Sequence, residues 1–414
     1  MINTNTLGGT IRQGFLDAAY VWRQEFKSIF HDMGVMIFLF ILPLGYPVLY
    51  GLIYNQQTVR EIPVVVVDDC RSTLSREYCR MLDGTPQAHI VTYAANMDEA
   101  KALVASEKAF GVIYLDRDFE KNIYRGISSH ISLYCQMNSL LYYRNLLSAN
   151  TDVVAAFNAD MQKKGLPGAT LQQESMAIEP VKSSSISLYN PVSGFATFIM
   201  PAIEIMVIQQ SLLLAIGMIA GTQRERDRSH HLVPYNRHYF GTFRIVLGKA
   251  LCFLTISVLT SFWTMVAVPH IFGYQQLGAI TDIFLFTLPF ILASIFLGMT
   301  LSCIIRGREF PMLFFVFLSL PFLFISGISW PWASIPKGWQ IVGSMIPSTY
   351  GIQGFVQISS CGATLDQVSF YYMWEWGLCV FYFITACLVY RYQLRKSLFD
   401  MAHPGETVER SVEY

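Results

Sequence analysis

Six stretches of this chain are long and almost free of charge. Each runs to about 18 residues or more, enough for a helix to cross the ~30 Å hydrocarbon core of a bilayer. They are Met33 to Ile53, Gly194 to Gly221, Ile245 to Val268, Ile283 to Ile305, Phe310 to Ile328 and Tyr371 to Tyr390. Pro43 and Pro47 lie in the first, Glu204 in the second and Glu375 near the start of the last. Lys249 sits near one end of the third, where its long stem can snorkel. Of the 414 residues 53% are apolar and 14% charged, against about a quarter charged in soluble domains. The net charge is zero, so no global field draws the chain to nucleic acid. The pattern predicts an α-helical membrane protein with six spans in a 1+5 arrangement and an α/β domain between spans 1 and 2.

Lys and Arg in the short loops set orientation. With the N-terminus inside, inner segments hold fifteen of them and the short outer loops hold one, Lys337. The thirteen in the insert do not count, because long domains are translocated regardless of charge. Both termini are therefore expected in the cytoplasm and residues 55–190 outside, as in a multi-pass inner-membrane protein. The first span follows 32 residues and has no small-residue cleavage site behind it, which reads as a signal anchor. Within residues 1–32, Ile11, Phe15, Ala18, Ala19, Trp22, Phe26 and Ile29 share one helical face. Arg12, Gln13, Arg23, Gln24 and Lys27 fall mostly opposite, as in a helix lying in the inner interface. The expected segments are this helix, span 1 at 33–54, the outer domain at 55–190, spans 2–6 within 191–391 and a tail at 392–414.

The insert alternates strand and helix. "IPVVVV", "AHIVTY", "FGVIYL" and "HISLYCQ" read as strands, with helices between them and a long one near Leu140 to Lys163. Ser72 is placed to cap the first helix, and a return strand is expected near Ser185 to Tyr189. Repeated β–α units predict a small mixed sheet. Asp68-Asp69 ends a strand, as ligand-binding residues do in parallel sheets, but such pairs are more often solvated turns. The domain has no GxSxG, no HExxH and no GxGxxG after a strand, so it reads as a binding or docking domain. Cys70 and Cys79 admit either a disulfide in an oxidising compartment or buried free thiols.

Ser326 to Phe355 holds three Trp, three Pro and five Gly between two apolar runs. It resembles a signature of ABC-2 type permeases, the membrane subunits of ATP-binding-cassette exporters. The matching residues are Ser326, Gly327, Pro331, Pro336, Pro347, Thr349 and Tyr350. The start, with Glu25, Asp32 and Pro43, is similar to the same family, as are "VVVVDDCRSTLSREYCRMLD", "YNPVSG" and Gln209-Gln210 in its drug-exporter-like subgroup. The resemblance covers nearly the whole chain, with the motifs in order. It implies a re-entrant hairpin at 329–358 carrying Pro331, Pro336, Pro347 and Tyr350, with Trp330, Trp332 and Trp339 at headgroup level.

The same resemblance implies partners. A second permease copy or paralogue would pair with this one, and a cytoplasmic ABC ATPase would drive them. A periplasmic adaptor and an outer-membrane channel are further implied partners, and no nucleic acid. The chain contains no GxxxxGK[ST], so ATP is expected on a separate polypeptide, with no cofactor, catalytic group or metal here. The "RERDR" run after span two, with Arg224, Glu225, Arg226 and Asp227, resembles the charged stretch that touches the ATPase, although the family usually has Gly-Thr where Asp227-Arg228 stands. Glu25 in the N-terminal helix is the next candidate for that role. His230, His231 and His238 lack supporting ligands for a metal site. Glu204 is the in-span acid, with Gln209 and Gln210 beyond it. Such an acid is a functional candidate by default, and snorkelling or facing a dimer interface are its competing roles. The leading expectation is an exporter of hydrophobic or amphiphilic substrates. The alternative is a membrane scaffold whose outer domain binds a partner.

Overall fold

The computed structural model describes residues 7–165, 168, 170, 188–191, 193–226, 232 and 241–402. The chain divides into two compact units, Thr58–Ile186 and the remainder, Met1–Gln57 with Ser187–Tyr414.

The helical unit begins with α1 (Leu7–His31) and α2 (Met33–Ile53). Asp32 starts α2 by accepting the Gly34 and Val35 N–H groups at 3.1 and 3.3 Å, a standard N-cap. There follow α7 (Phe195–Arg226), α8 (Thr242–Phe272), α9 (Ile280–Leu301), α10 (Phe310–Ile325), α11 (Lys337–Ser344), α12 (Pro347–Cys361) and α13 (Ser369–Ala402). Five of these, α2, α7, α8, α9 and α13, are long and apolar enough to cross a membrane. The fifth apolar run in the sequence forms a shorter helix. Its 16 residues reach only about 24 Å at helical rise, because the chain turns at Gly327, where φ is +92°. Helix α7 is the most buried of the candidate spans.

Prolines shape these helices in two ways. Pro311 and Pro347 occupy first turns, where a missing N–H is harmless. Pro43 and Pro269 each follow a π-helical turn, at Ile37–Ile41 and Trp263–Ala267. Neither can donate to the carbonyl four residues earlier, and the widened turn absorbs the mismatch.

The other unit contains β1 (Ile62–Asp68), α3 (Thr73–Asp83), β2 (Ala88–Tyr93), α4 (Met97–Ala105), β3 (Gly111–Leu115), α5 (Phe119–Tyr124), β4 (Ile131–Cys135) and α6 (Leu140–Lys164). These lie where the alternation predicts. The sheet order is β2-β1-β3-β4, with β1 parallel to both neighbours and β4 antiparallel to β3. Central β1 is apolar on both faces, as a doubly covered strand must be. Ile62, Val64 and Val66 pack towards α3 and α6, and Val65 and Val67 towards α4. Ser72 and Ser75 form a capping box at α3. Asp68 is absorbed by the same turn, accepting from the Cys70 and Arg71 N–H groups and the Ser75 hydroxyl. It therefore has a structural task here.

All eight cysteines are free thiols, Cys70 and Cys79 included. Burial, and then the Asp68 charge, push the Cys79 thiol up to about 11, so it stays a neutral core group. The return strand expected near Ser185 to Tyr189 lies mostly outside the described residues, and Leu188 and Tyr189 form a bend.

Candidate functional site

The charged groups of the helical unit concentrate where α1 meets the end of α7, the start of α8 and the turn between α9 and α10. Helix α1 reaches this place because small and apolar residues let it pack closely. A Cβ on Gly248 of α8 would lie 2.7 Å from the Ala18 carbonyl oxygen and 2.8 Å from Val21. Against that contact Glu25 and Lys249 are 2% and 3% exposed. Lys249 Nζ donates to both Glu25 carboxylate oxygens at 2.8 Å and to Gln223 Oε1 at 3.2 Å. Gln223 returns a longer bond, 3.4 Å, to Glu25. Three helices thus meet in one closed ring of charge and amide.

A second pair adjoins it. Arg308, in the α9–α10 turn, donates to Asp32 Oδ1 at 2.6 Å while that carboxylate caps α2 and accepts from Thr222 at 3.3 Å. Gly221 lets the turn approach, since a Cβ there would lie 2.6 Å from the Gly307 carbonyl oxygen. A third pair joins Arg244 of α8 to Asp17 of α1 at 2.5 Å. Charge-assisted bonds of this kind are the strong ones, and they fix five segments to one another.

This arrangement changes the reading of α1. Its inward face is Asp17, Ala18, Val21, Glu25 and Ile29, all buried. Phe15, Leu16 and Phe30 remain exposed. Trp22, Phe26, Phe30 and Phe40 form a ladder of rings 4.9 to 5.6 Å apart. Lys249 does not snorkel; its ammonium turns inward to Glu25. The pairing eludes the sequence because its members are 224 residues apart.

The "RERDR" residues separate. Arg224 is buried and donates to the Cys303 carbonyl at 3.2 Å. Glu225 is exposed and accepts the Arg308 N–H at 2.7 Å, and Arg226 is exposed. All three belong to the last turn of α7. Asp227, His230, His231 and His238 lie outside the described residues.

Deeper in the bundle, Gln209 is fully buried and grips the start of α12. It accepts the Ser348 N–H at 2.8 Å and donates to the Ser348 hydroxyl at 3.1 Å. Gln210 beside it donates to the Phe315 carbonyl of α10. Pro331 precedes a short 3₁₀ turn (Trp332–Ser334), Pro336 precedes α11 and Pro347 opens α12. Tyr350 is buried among Trp332, Phe370, Tyr371 and Trp374. Trp330 and Trp339 are exposed.

Glu204 neither snorkels nor faces outward for a second copy. It is 1% exposed within this single chain, and one carboxyl oxygen has no hydrogen-bond partner. Glu375 of α13 is fully buried, with the Gly351 backbone as the polar neighbour of its carboxyl group and no base beside it. Among the described residues no three His, Cys, Asp or Glu side chains converge on a metal position.

Comparison with known proteins agrees with this architecture. The family profile described as ABC-2 family transporter protein matches residues 33–388. ABC transporter G family member 20 of Dictyostelium discoideum is 22% identical over 340 residues, which cover 81% of this chain and 45% of that protein. The chain thus spans under half the length of this curated relative.

Proposed function

The chain belongs to the ABC-2 transporter family, and from that membership we propose that it is the permease of an ATP-binding-cassette exporter. It moves a hydrophobic or amphiphilic substrate outward across the inner membrane, paired with a second copy or a paralogue. A separate ATPase subunit binds and hydrolyses the ATP. In this reading the shorter helix α10 and the α11–α12 hairpin together complete a sixth crossing. The hairpin re-enters from the outer side, with Trp330 and Trp339 at the headgroups. Both termini are cytoplasmic and residues 55–190 are outside. A periplasmic adaptor and outer-membrane channel would then meet the outer domain.

One observation supports this reading most directly. The Glu25–Lys249–Gln223 ring and the Asp32–Arg308 pair weld α1, α2, α7, α8 and the α9–α10 turn at a single end of the bundle. A push on the exposed Glu225–Arg226 corner beside that weld is delivered to several candidate spans at once. Bistable packing, rather than gradual flexing, would convert such a push into opening.

Co-expression with its ATPase tests the proposal. The purified chain alone should hydrolyse no ATP, and the complex should hydrolyse ATP and export. Reversing Glu225 and Asp227 together should lower both activities at unchanged membrane abundance, since added positive charge inside does not oppose insertion. Hydrolysis by the single chain, or full export by the double mutant, would contradict the proposal. For topology, single cysteines at positions 163 and 229 in a cysteine-free background are treated with an impermeant reagent. Labelling of 163 alone in intact cells is expected, and labelling of 229 alone would reverse the arrangement.

A further inference from the structure

Glu204 borders a small cavity of about 10 Å³ enclosed by α7, the end of α8, the α8–α9 turn and the end of α12. That is close to the smallest void that holds one water-sized particle. Two buried groups there lack hydrogen-bond partners, one carboxyl oxygen of Glu204 and the Tyr274 hydroxyl. No Lys, Arg or His is among the described residues that line the cavity. The Tyr274 hydroxyl is available there as a neutral oxygen ligand or donor.

The remaining polar wall adds further oxygens beside the Gln275 and Gln276 amides. Thr197 spends its hydroxyl proton on Gln57 Oε1 at 3.0 Å, which leaves its lone pairs available. The Ser359 hydroxyl receives only a long bond, 3.4 Å, from Gln276. Pro201 has no N–H, so the Thr197 carbonyl is denied its ordinary helical donor. Pro269 does the same to the Met265 carbonyl, but there the Gln276 amide closes the gap at 2.8 Å. Two proline-interrupted helices therefore border one small void in which several oxygens and a single acid are set in an otherwise largely apolar wall.

We propose that this cavity is a binding site for one small monovalent cation, sodium by size and donor chemistry, held by Glu204, Tyr274, Thr197 and Ser359. Hard oxygen donors without Cys or His disfavour the transition metals. A single carboxylate balances a single charge, whereas divalent ions usually draw on more carboxylates. One occupant accounts for three features together. It neutralises the buried acid, gives Tyr274 a partner and fills the void. A proton alone leaves the void unfilled, and a water alone leaves the charge. The inference does not depend on the transport proposal, because it concerns an equilibrium property of the resting chain.

Thermal unfolding of the full-length chain in lipid nanodiscs tests it, with sodium chloride replacing choline chloride at constant ionic strength. A ligand that binds only the folded state raises the midpoint by mass action. A saturable rise with sodium is expected, weaker with potassium. Glu204→Gln should abolish the rise. Tyr274→Phe should raise the half-saturating sodium concentration by about tenfold, as expected for one lost ligand contact of ordinary strength. The tyrosine variant serves by itself if the glutamine variant fails to fold. An equal response to choline overturns the site, as does an undiminished sodium response in both variants. A midpoint that ignores sodium but follows pH in the wild type, and not in Glu204→Gln, would assign the cavity to a proton and a water, and would equally overturn the cation.

Discussion

Two groups of buried acids in this molecule are treated in opposite ways. Where α1 meets the bundle, Glu25, Asp32 and Asp17 each have a base at 2.8, 2.6 and 2.5 Å. Inside the bundle, Glu204 and Glu375 are as deeply buried, yet no salt bridge reaches either among the described residues. Burial alone therefore does not decide what a carboxyl group is for. The paired acids come from different segments and fix the geometry between them. The lone acids join no second segment by an ion pair among the described residues. A buried pair is weak support for stability in itself, and its best-attested use is to specify an arrangement.

The largest effect should come from splitting the deepest pair. Lys249→Met removes the ammonium and strands Glu25, which typically costs about 3–5 kcal/mol for a buried pair. Unfolding of the purified protein in detergent should show the loss. The double variant Glu25→Gln with Lys249→Met should recover a good part of it, because no charge is then left unpaired. Glu375→Gln should change stability by less than about 1 kcal/mol, since the amide oxygen can still accept from the Gly351 N–H and no ion pair is lost. Equal losses in Lys249→Met and Glu375→Gln would erase the distinction between the two groups.

How much of this was readable in the sequence follows from the range of the interactions. The apolar runs other than the fifth, the β–α alternation and the Ser72 cap are local, and each appears where the local pattern puts it. Glu204 stood out because an acid in an apolar run is conspicuous. Its inward orientation was not readable, since helical length places a residue in depth and leaves its rotation open. The Glu25–Lys249 ring and the Asp32–Arg308 pair join residues separated by 224 and 276 positions, and no periodicity encodes them. Lys249 looked like a snorkelling residue because its partner was invisible. Similarly, the apolar run ending at Ile328 looked long enough to span, and it is the turn at Gly327 that shortens its helix.

An intermediate effect tests whether close backbone approach is what allows the paired end to form. Gly221→Ala places a methyl 2.6 Å from the Gly307 carbonyl oxygen and 2.8 Å from the Arg308 Cα. Overpacking of this kind typically costs about 1–3 kcal/mol. It should also loosen the Asp32–Arg308 pair, so a following Arg308→Ala should cost less in Gly221→Ala than in the wild type. Strict additivity of the two would show that the turn relaxes without disturbing the pair. Somewhat smaller is Gln209→Leu, which removes both bonds to Ser348. Interhelical hydrogen bonds in membrane proteins average about 0.6 kcal/mol and reach about 1.7. Loss in the upper part of that range is expected, because the Ser348 N–H is buried.

The smallest effect belongs to a pair with nearly the same geometry and none of the burial. Lys164 donates to Asp160 at 2.7 Å and to Glu77 at 3.2 Å, but its side chain is 53% exposed. The Asp160 hydrogen bond first, and Glu77 next, hold the ammonium above its ordinary value of 10.5. A lysine raised in this way contributes its stability below the unfolded value and loses it as pH rises through the folded one. Any signature should therefore be confined to pH above that ordinary value, with stability falling as pH rises. At neutral pH Lys164→Ala should leave the unfolding midpoint of its unit unchanged within error, and added salt should matter little. Solvent already screens both partners, and the side chain loses entropy when it is held. A loss approaching that of Lys249→Met would mean that the short distance, and not the burial, makes the ring at the end of the bundle strong.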